Sequence, residues 1–275
     1  MDVGTYREIA HSRNGRRIGV NTGIFASAEQ SHEHSLATLE ALYQYDDFMG
    51  SIGSMVDLGC GSGLDLEWWA TRTTRDLAAT PLNIRCVGVD LREELPMAHR
   101  YRNITYQRQD FETETLHLPR QQPFDIMWCH DSFQFVQDPF QTLRRWRQCL
   151  SENGALIITV AQTTNIETRF QQFDQRDFCY HNWTMVSLIH VLAVSGFDCH
   201  DGYFLKNPDD PWLHAMVYRS PVEPQDPRRT SWYQLMEQGL LPDSMCAGIQ
   251  RNGYARQRDL VLRWLDRSSM SFAKH

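Results

Sequence analysis

Three aspartates follow short apolar segments, where side chains of an α/β sheet commonly meet a ligand. Asp57 lies inside VDLGCGSG, Asp90 ends the next apolar segment, and Asp110 follows the third. Glycines permit a tight turn and a close backbone approach, and free N–H groups at the start of a helix favour an anionic group. A carboxylate such as Asp90 suits the two hydroxyls of a ribose. The alternative is a set of tight turns whose acids only cap helices.

Apolar segments alternate with helical segments between residues 31 and 218, and this alternation sets the expected fold. The predicted strands are 54–58, 84–91, 104–109, 124–129 and 154–160, with two short ones at 203–205 and 215–218. The predicted helices are 31–48, 64–73, 139–150 and 182–195. The pattern predicts a doubly wound, Rossmann-like α/β fold. Its seven-stranded sheet is mostly parallel, has helices on both faces and binds ligands beyond the carboxyl ends of its strands.

The composition indicates a soluble, cytoplasmic protein with no membrane segment. The chain has 275 residues and a formal net charge of −7, which disfavours a basic nucleic-acid-binding protein. Seven cysteines occur without a CxxC pair, which favours reduced thiols. The longest uncharged apolar stretch, 182–197, is short for a membrane span, and the N-terminus lacks the apolar region of a signal peptide.

Three prolines between Ser220 and Thr230 predict a boundary in the chain. We expect residues 1–220 to form the main domain with an N-terminal helical segment. Residues 221–275 are expected to form a helical C-terminal extension packed on the core, with a helix over Tyr254–Leu265. The arginines of this extension are interpreted as a solvated helix face. A cap over an acceptor site, a homodimer contact and a site for an acidic partner are the alternatives.

Four segments together resemble the class I S-adenosylmethionine-dependent methyltransferases over residues 31–218. These segments are VDLGCGSG, GVDL, QRQDF and FDIMWCHDSFQFVQDPFQTLRRWRQCLSENGALIITV. The resemblance implies S-adenosyl-L-methionine as cofactor. It places Asp57, Gly59, Cys60, Gly61 and Gly63 at the methionine end of the cofactor. It places Asp90 at the ribose, and Leu91, Asp110 and Phe111 around the adenine. It puts Cys129 and His130 beside the sulfonium.

The segment WCHDSFQFV is similar to a stretch of small-amine N-methyltransferases and carries the candidate acceptor-side residues. That similarity implies that Asp131 attracts a cationic amine, although a plain helix cap is the alternative. His130 is a candidate base, against the alternative of a ring packed near the cofactor.

The aromatic segment 163–183 is a candidate lid over the acceptor, with Phe170, Phe173, Phe178, Tyr180, His181 and Trp183. His32 and His34 point apart on a helix, so no metal is expected there.

These observations predict a methyltransferase that acts on an N or O atom of a small-molecule acceptor. Nucleic acid is an unlikely partner because of the acidic charge, and a homodimer is possible. One alternative is a macromolecular acceptor bound through the arginine-rich C-terminal extension. Another is a catalytically silent partner subunit that binds the cofactor.

Overall fold

The central feature of the computed structural model is a seven-stranded sheet. Its strands are β3 Ser54–Leu58, β4 Arg85–Asp90, β5 Ile104–Arg108, β6 Phe124–His130, β7 Leu150–Ala161, β8 Phe197–Lys206 and β9 Trp212–Arg219, and they lie in the order β5-β4-β3-β6-β7-β9-β8. The structure describes residues 9–11, 17–19, 28–116, 122–162, 181, 183–206 and 212–265. Strands β3 to β7 run parallel, and β9 pairs antiparallel with both β7 and β8. The chain leaves β3 toward one edge and returns to its other side at β6. The reversal of strand order therefore lies beside β3, where doubly wound sheets bind ligands.

Two further strands, β1 Ile9–His11 and β2 Arg17–Gly19, lie outside this sheet. The helices are α1 Ala28–Tyr43, α2 Asp46–Ser51, α3 Leu64–Ala70, α4 Pro139–Cys149, α5 Met185–Val194, α6 Trp232–Glu237 and α7 Asp243–Asn252. The short β1 and β2 pair only with each other.

Two apolar clusters cover opposite faces of the large sheet. Ile126 and Trp128 of β6 belong to the cluster that includes residues of α1, α2 and α3. Met127 and Cys129 belong to the cluster that includes residues of α4, α5, α6 and α7. Successive strand residues point to opposite faces, so helices lie on both sides of the sheet. The doubly wound α/β prediction, with its mostly parallel sheet, is confirmed.

Two helix ends show how the sequence fixes these boundaries. Asp138 caps α4 by accepting a hydrogen bond from the backbone N–H of Gln141, and Pro139 follows at the first helical position. Thr184 and Ser187 form a reciprocal capping box at the start of α5. The predicted helix over 31–48 instead divides into α1 and α2, and the chain bends at Tyr45, whose backbone is extended.

The predicted helix over Tyr254–Leu265 is wrong. That segment holds only a 3-10 turn at Gln257–Asp259, and the backbone is extended at Leu260. The backbone N–H of Phe204 on the edge strand β8 donates to the carbonyl of Arg263 over 2.7 Å, so this segment lies against the sheet edge. The open edge of a sheet has backbone groups without partners, and an extended segment can bond to them where a helix could not. The domain boundary at residue 220 stays a prediction.

Candidate functional site

The loop after β3 depends on glycine because its backbone is left-handed at three positions. Gly59, Gly61 and Gly63 have φ values of 81°, 54° and 83°. A Cβ atom on Gly59 would lie 2.2 Å from Oγ of Ser132, and one on Gly63 would lie 2.2 Å from Sδ of Met97. A Cβ atom on Gly61 would meet nothing within 4 Å. The loop therefore packs tightly at both ends and leaves open space beside its middle glycine.

The carboxylate of Asp90 is fixed directly over this loop. Its Oδ2 accepts a hydrogen bond from the backbone N–H of Gly61 over 2.9 Å. Its Oδ1 accepts from the backbone N–H of Arg92 over 3.1 Å. The side chain of Asp90 is 14% exposed, so it is accessible from the solvent side. This contact joins the ends of β3 and β4 into one polar surface, and Leu91 continues it as a partly buried side chain.

Asp57 is a buried carboxylate near the end of β3, just before the same loop. It is 3% exposed, and none of the residues that the structure describes donates a hydrogen bond to it. Burial, followed by the charges of Asp65 and Asp90, raises the pKa of Asp57 well above its ordinary value. A buried carboxylate without a donor is costly, and a cationic or hydrogen-bonding ligand would remove that cost.

Asp110 and Phe111 lie on the other side of the glycine loop. The carboxylate of Asp110 accepts from the backbone N–H of Glu112 over 2.9 Å and from the hydroxyl of Thr113 over 2.7 Å. Phe111 approaches Gly59, since a Cβ on that glycine would lie 3.5 Å from the ring atom Cε1. Its ring also packs edge-on against Trp146 at 5.8 Å. Phe111 thus lies beside the glycine loop, while the carboxylate of Asp110 stabilises the turn that it begins.

Two cysteines predicted at the cofactor are buried. Cys60 is part of the glycine loop, and Cys129 lies near the end of β6. Burial, with added repulsion from Asp57, raises the pKa of both thiols well above the ordinary value. Both side chains therefore stay neutral thiols and contribute packing rather than a nucleophile.

His130, at the end of β6, is enclosed by protein groups. Its Nδ1 lies 3.3 Å from the hydroxyl of Ser31, and its Nε2 lies 2.9 Å from Nδ1 of His34. Its ring stacks on Trp128 at 6.2 Å and on Trp212 at 6.1 Å. Burial lowers the pKa of His130 to about 3, against the opposing charge of Asp65. Both ring nitrogens are engaged and the ring is a weak base, which favours the packed-ring alternative over the base.

Asp131 follows with an unusual backbone. Its φ is 54°, a left-handed conformation that Asp tolerates better than most residues, and such positions are enriched at functional sites. Its N–H donates to the carbonyl of Thr159 over 3.1 Å, which ties the turn to β7. Its carboxylate accepts a short hydrogen bond from the side-chain amide of Gln134. Asp131 is thus buried at the junction of β6 and β7, facing the turn that follows it.

The comparisons with known proteins agree with this geometry. A family model described as a methyltransferase domain matches residues 56–156. The match identifies a methyltransferase domain within this stretch of the chain. The matched residues of this methyltransferase domain contain the glycine loop, Asp90, Asp110 and Asp131. No curated protein sequence matches the chain.

Solved structures share the fold of the methyltransferase domain at low identity. One is a chain of the complex between the Haloferax volcanii Trm112 methyltransferase activator and a methyltransferase, with TM-score 0.51 and 14% identity over 70% of this chain and 95% of that chain. Another is an S-adenosylmethionine-dependent methyltransferase from Mesorhizobium loti, with TM-score 0.51 and 20% identity over 67% of this chain and 97% of that chain. Identities this low show the fold alone.

Sequence reasoning missed Asp65, which connects α3 with two other elements of the fold, α1 and β6. Its Oδ1 accepts from the Ser35 hydroxyl over 2.7 Å and lies 2.5 Å from Nδ1 of His32, both on α1. Its Oδ2 accepts from the indole N–H of Trp128 on β6 over 2.8 Å. The carboxylate thereby fixes the ring on which His130 stacks. No local pattern could show this, because the partners lie far apart in the chain.

Three other predictions concern the lid, a metal site and a membrane span. Of the candidate lid residues, His181 and Trp183 are described, while Phe170, Phe173, Phe178 and Tyr180 lie outside the described residues. Among the residues that are described, no group of three or more histidine, cysteine or carboxylate side chains could hold a metal ion. In those same ranges no helix has both the length and the apolar character needed to cross a membrane.

Proposed function

We propose that this protein is an S-adenosylmethionine-dependent methyltransferase that transfers a methyl group to an N or O atom of a small-molecule acceptor. The proposal rests on the hydrogen bond from the backbone N–H of Gly61 to Asp90. This bond lies beside the buried carboxylate of Asp57, to which none of the described residues donates. All three lie at the carboxyl ends of β3 and β4, next to the reversal of strand order.

The residues present fit this cofactor. The open space beside Gly61 admits close approach of a ligand, since even a Cβ there meets no atom within 4 Å. The accessible carboxylate of Asp90 would bind the ribose hydroxyls, and Asp57 would bind the amino group of the methionine part. Phe111 and Leu91 would pack on the adenine. Asp110 would accept from the adenine amino group only by sharing oxygens that now bond Glu112 and Thr113.

The bound cofactor would supply an electrophilic methyl group on a sulfonium, and transfer is an in-line displacement. The protein's own task is to orient the acceptor and exclude water. Burial lowers the pKa of His130 to about 3, so its ring is a weak base and would shape the wall of the site rather than remove a proton. Asp131, at the end of β6, would attract and align a cationic acceptor.

The charges around the site favour a neutral or cationic acceptor. Asp57, Asp65, Asp90 and Asp131 all lie at the carboxyl edge of β3, β4 and β6. An acidic edge repels phosphate and carboxylate groups, which would lower the affinity for anionic acceptors and nucleic acid. This charge supports an acceptor other than nucleic acid.

The first experiment compares the melting temperature of the protein alone and with S-adenosylmethionine, S-adenosylhomocysteine or NAD. A ligand that binds only the folded state stabilises it by about 2.7 kcal/mol at a hundredfold excess over its dissociation constant. We expect both adenosyl ligands to raise the melting temperature and NAD to leave it unchanged. A rise with NAD alone, or with none of the three, would refute the proposed cofactor.

A further inference from the structure

His32, on α1, has one ring nitrogen held by a carboxylate and the other without a protein partner. Its Nδ1 lies 2.5 Å from Oδ1 of Asp65. Among the residues that the structure describes, none bonds to Nε2 of His32. The side chain of His32 is 21% exposed, and Nε2 is not one of the buried atoms that lack a partner. A ligand in the site can therefore reach this nitrogen.

Asp65 decides which nitrogen of His32 carries the hydrogen. Its carboxylate also accepts from the hydroxyl of Ser35 over 2.7 Å and from the indole N–H of Trp128 over 2.8 Å. A carboxylate is an acceptor, so the hydrogen between the two residues belongs to Nδ1 of His32. In the neutral ring Nε2 then has the free lone pair. A carboxylate in this arrangement orients an imidazole base and stabilises the imidazolium that forms.

His32 lies between the glycine loop and the end of β6. Asp65 follows Gly63 of the glycine loop by two residues. On the other side, the hydroxyl of Ser31, which precedes His32 on α1, lies 3.3 Å from Nδ1 of His130. Under the proposed function the methionine end of the cofactor lies at the glycine loop and the sulfonium lies beside His130. His32 therefore borders the space in which the methyl group would be transferred.

The other histidines at this edge of the sheet are engaged with one another. Nδ1 of His34 lies 2.9 Å from Nε2 of His130, and the ring of His34 stacks on that of His214 at 5.2 Å. Nδ1 of His214 lies 3.2 Å from the hydroxyl of Thr159. Among the described histidines of this cluster, His32 is the one that pairs with a carboxylate. It is therefore the ring best suited to accept and hold a proton.

We propose that His32 is the general base of the methyl transfer and that Asp65 is the residue that positions it. This inference rests on the proposed methyltransferase function and adds the group that receives the proton of the acceptor. Nε2 of His32 takes the proton of an N–H or O–H bond of the acceptor, and the electron pair left on that atom forms the bond to the methyl carbon. The electron pair of the broken S–CH3 bond stays on sulfur. The positive charge thus passes from the sulfonium to the imidazolium of His32, beside the carboxylate of Asp65.

The first test compares the calorimetric affinities of sinefungin and S-adenosylhomocysteine, because neither ligand requires a known acceptor. Sinefungin has a protonated amino group on carbon where S-adenosylmethionine has its methyl group on sulfur, and S-adenosylhomocysteine has neither group. In His32→Asn the new amide can still donate to Asp65, but nothing takes the place of Nε2. A general base lies within hydrogen-bond reach of its site, directly or through one water. We expect His32→Asn to weaken sinefungin about 10-fold and to leave the affinity for S-adenosylhomocysteine unchanged.

The matched control is His200→Asn, at an exposed position on the edge strand β8, which should change neither affinity. Unchanged binding of sinefungin to His32→Asn, or equal weakening of both ligands, would overturn the inference. If neither ligand binds the unaltered protein, the proposed function itself fails.

The role of Asp65 is tested by the nitrogen spectrum of its partner. In protein labelled with 15N-histidine at pH 8, the signals of His32 are those lost in His32→Asn. We expect them to show the hydrogen on Nδ1 and the lone pair on Nε2. The indole of Trp128 can only donate, so in Asp65→Asn the amide oxygen turns to Trp128 and the NH2 group turns to His32.

This reversal should move the hydrogen of His32 to Nε2 in Asp65→Asn and weaken sinefungin as His32→Asn does. Ser35→Ala removes a different partner of Asp65 and should keep the hydrogen on Nδ1. A hydrogen on Nε2 of His32 in the unaltered protein, or an unchanged tautomer in Asp65→Asn, would contradict the positioning role. A merely structural contribution of Asp65 would lower the melting temperature without reversing the tautomer.

Discussion

The proposed cofactor side and the proposed acceptor side of this site are built in different ways. The cofactor side consists of backbone N–H groups, left-handed glycines and the carboxylates of Asp57 and Asp90, within two consecutive strand–loop units. The proposed acceptor side is assembled from side chains on α1, β6 and β9, including His34, His130 and Trp212. In the proposed function, the first side would bind the cofactor mainly through its backbone, and the second would meet the acceptor through side chains.

This difference explains which changes each side tolerates. The glycine loop depends on backbone conformations that only glycine adopts at little cost, so the addition of a single side-chain atom disturbs it. The acceptor side depends on hydrogen bonds between side chains far apart in sequence. We therefore expect its disruption to change the charge and protonation of those side chains. The predictions below separate the two sides by these signatures.

The largest expected effect is on the cofactor side and compares Gly59→Ala with Gly61→Ala. Both positions have positive φ, but only at Gly59 would the new Cβ lie 2.2 Å from Oγ and 2.7 Å from Cβ of Ser132. We expect Gly59→Ala to lower the free energy of unfolding by about 3 kcal/mol or more, and Gly61→Ala by about 1 kcal/mol. Urea unfolding of both variants measures this, and equal losses would contradict the packing described for the loop.

A smaller effect is expected on the acceptor side as the pH falls. The pKa of His130 is lowered to about 3 in the folded protein, mainly by burial, against about 6.5 unfolded. Between these two pKa values, the unfolded chain therefore binds a proton at His130 and the folded protein does not. The contribution of His130 to stability is present above pH ~6.5 and is lost toward pH ~3 at up to about 1.4 kcal/mol per pH unit.

Urea unfolding between pH 7 and pH 4.5 isolates this contribution when the unaltered protein is compared with His130→Asn. Asp57 has the opposite sign, because its pKa is raised and its contribution is lost as pH rises, but both proteins contain it. We expect a shallower acid dependence in His130→Asn. Identical slopes would show that His130 takes up its proton in the folded state.

The same division explains how much of the structure the sequence could predict. The strand 54–58 and the order of strands and helices followed from apolar periodicity, and the glycine loop followed from a local pattern of residues. The apolar spacing after Gly253 is helical and therefore predicts a helix. The segment instead bonds to the β8 edge, as the Phe204–Arg263 contact shows. The roles of Asp65 and His32 depend on contacts between distant elements, which spacing along the chain does not encode.

The most direct test of the central claim is a calorimetric titration of S-adenosylhomocysteine into the unaltered protein, Asp90→Ala and Asp47→Ala. Asp47 is an exposed aspartate on α2, away from the glycine loop, and serves as the control. A hydrogen bond to a charged group contributes about 1.5–3 kcal/mol, so we expect Asp90→Ala to weaken binding roughly 10- to 150-fold. Asp47→Ala should bind as the unaltered protein does. Undetectable binding to the unaltered protein, or equal affinity in Asp90→Ala, would contradict the account.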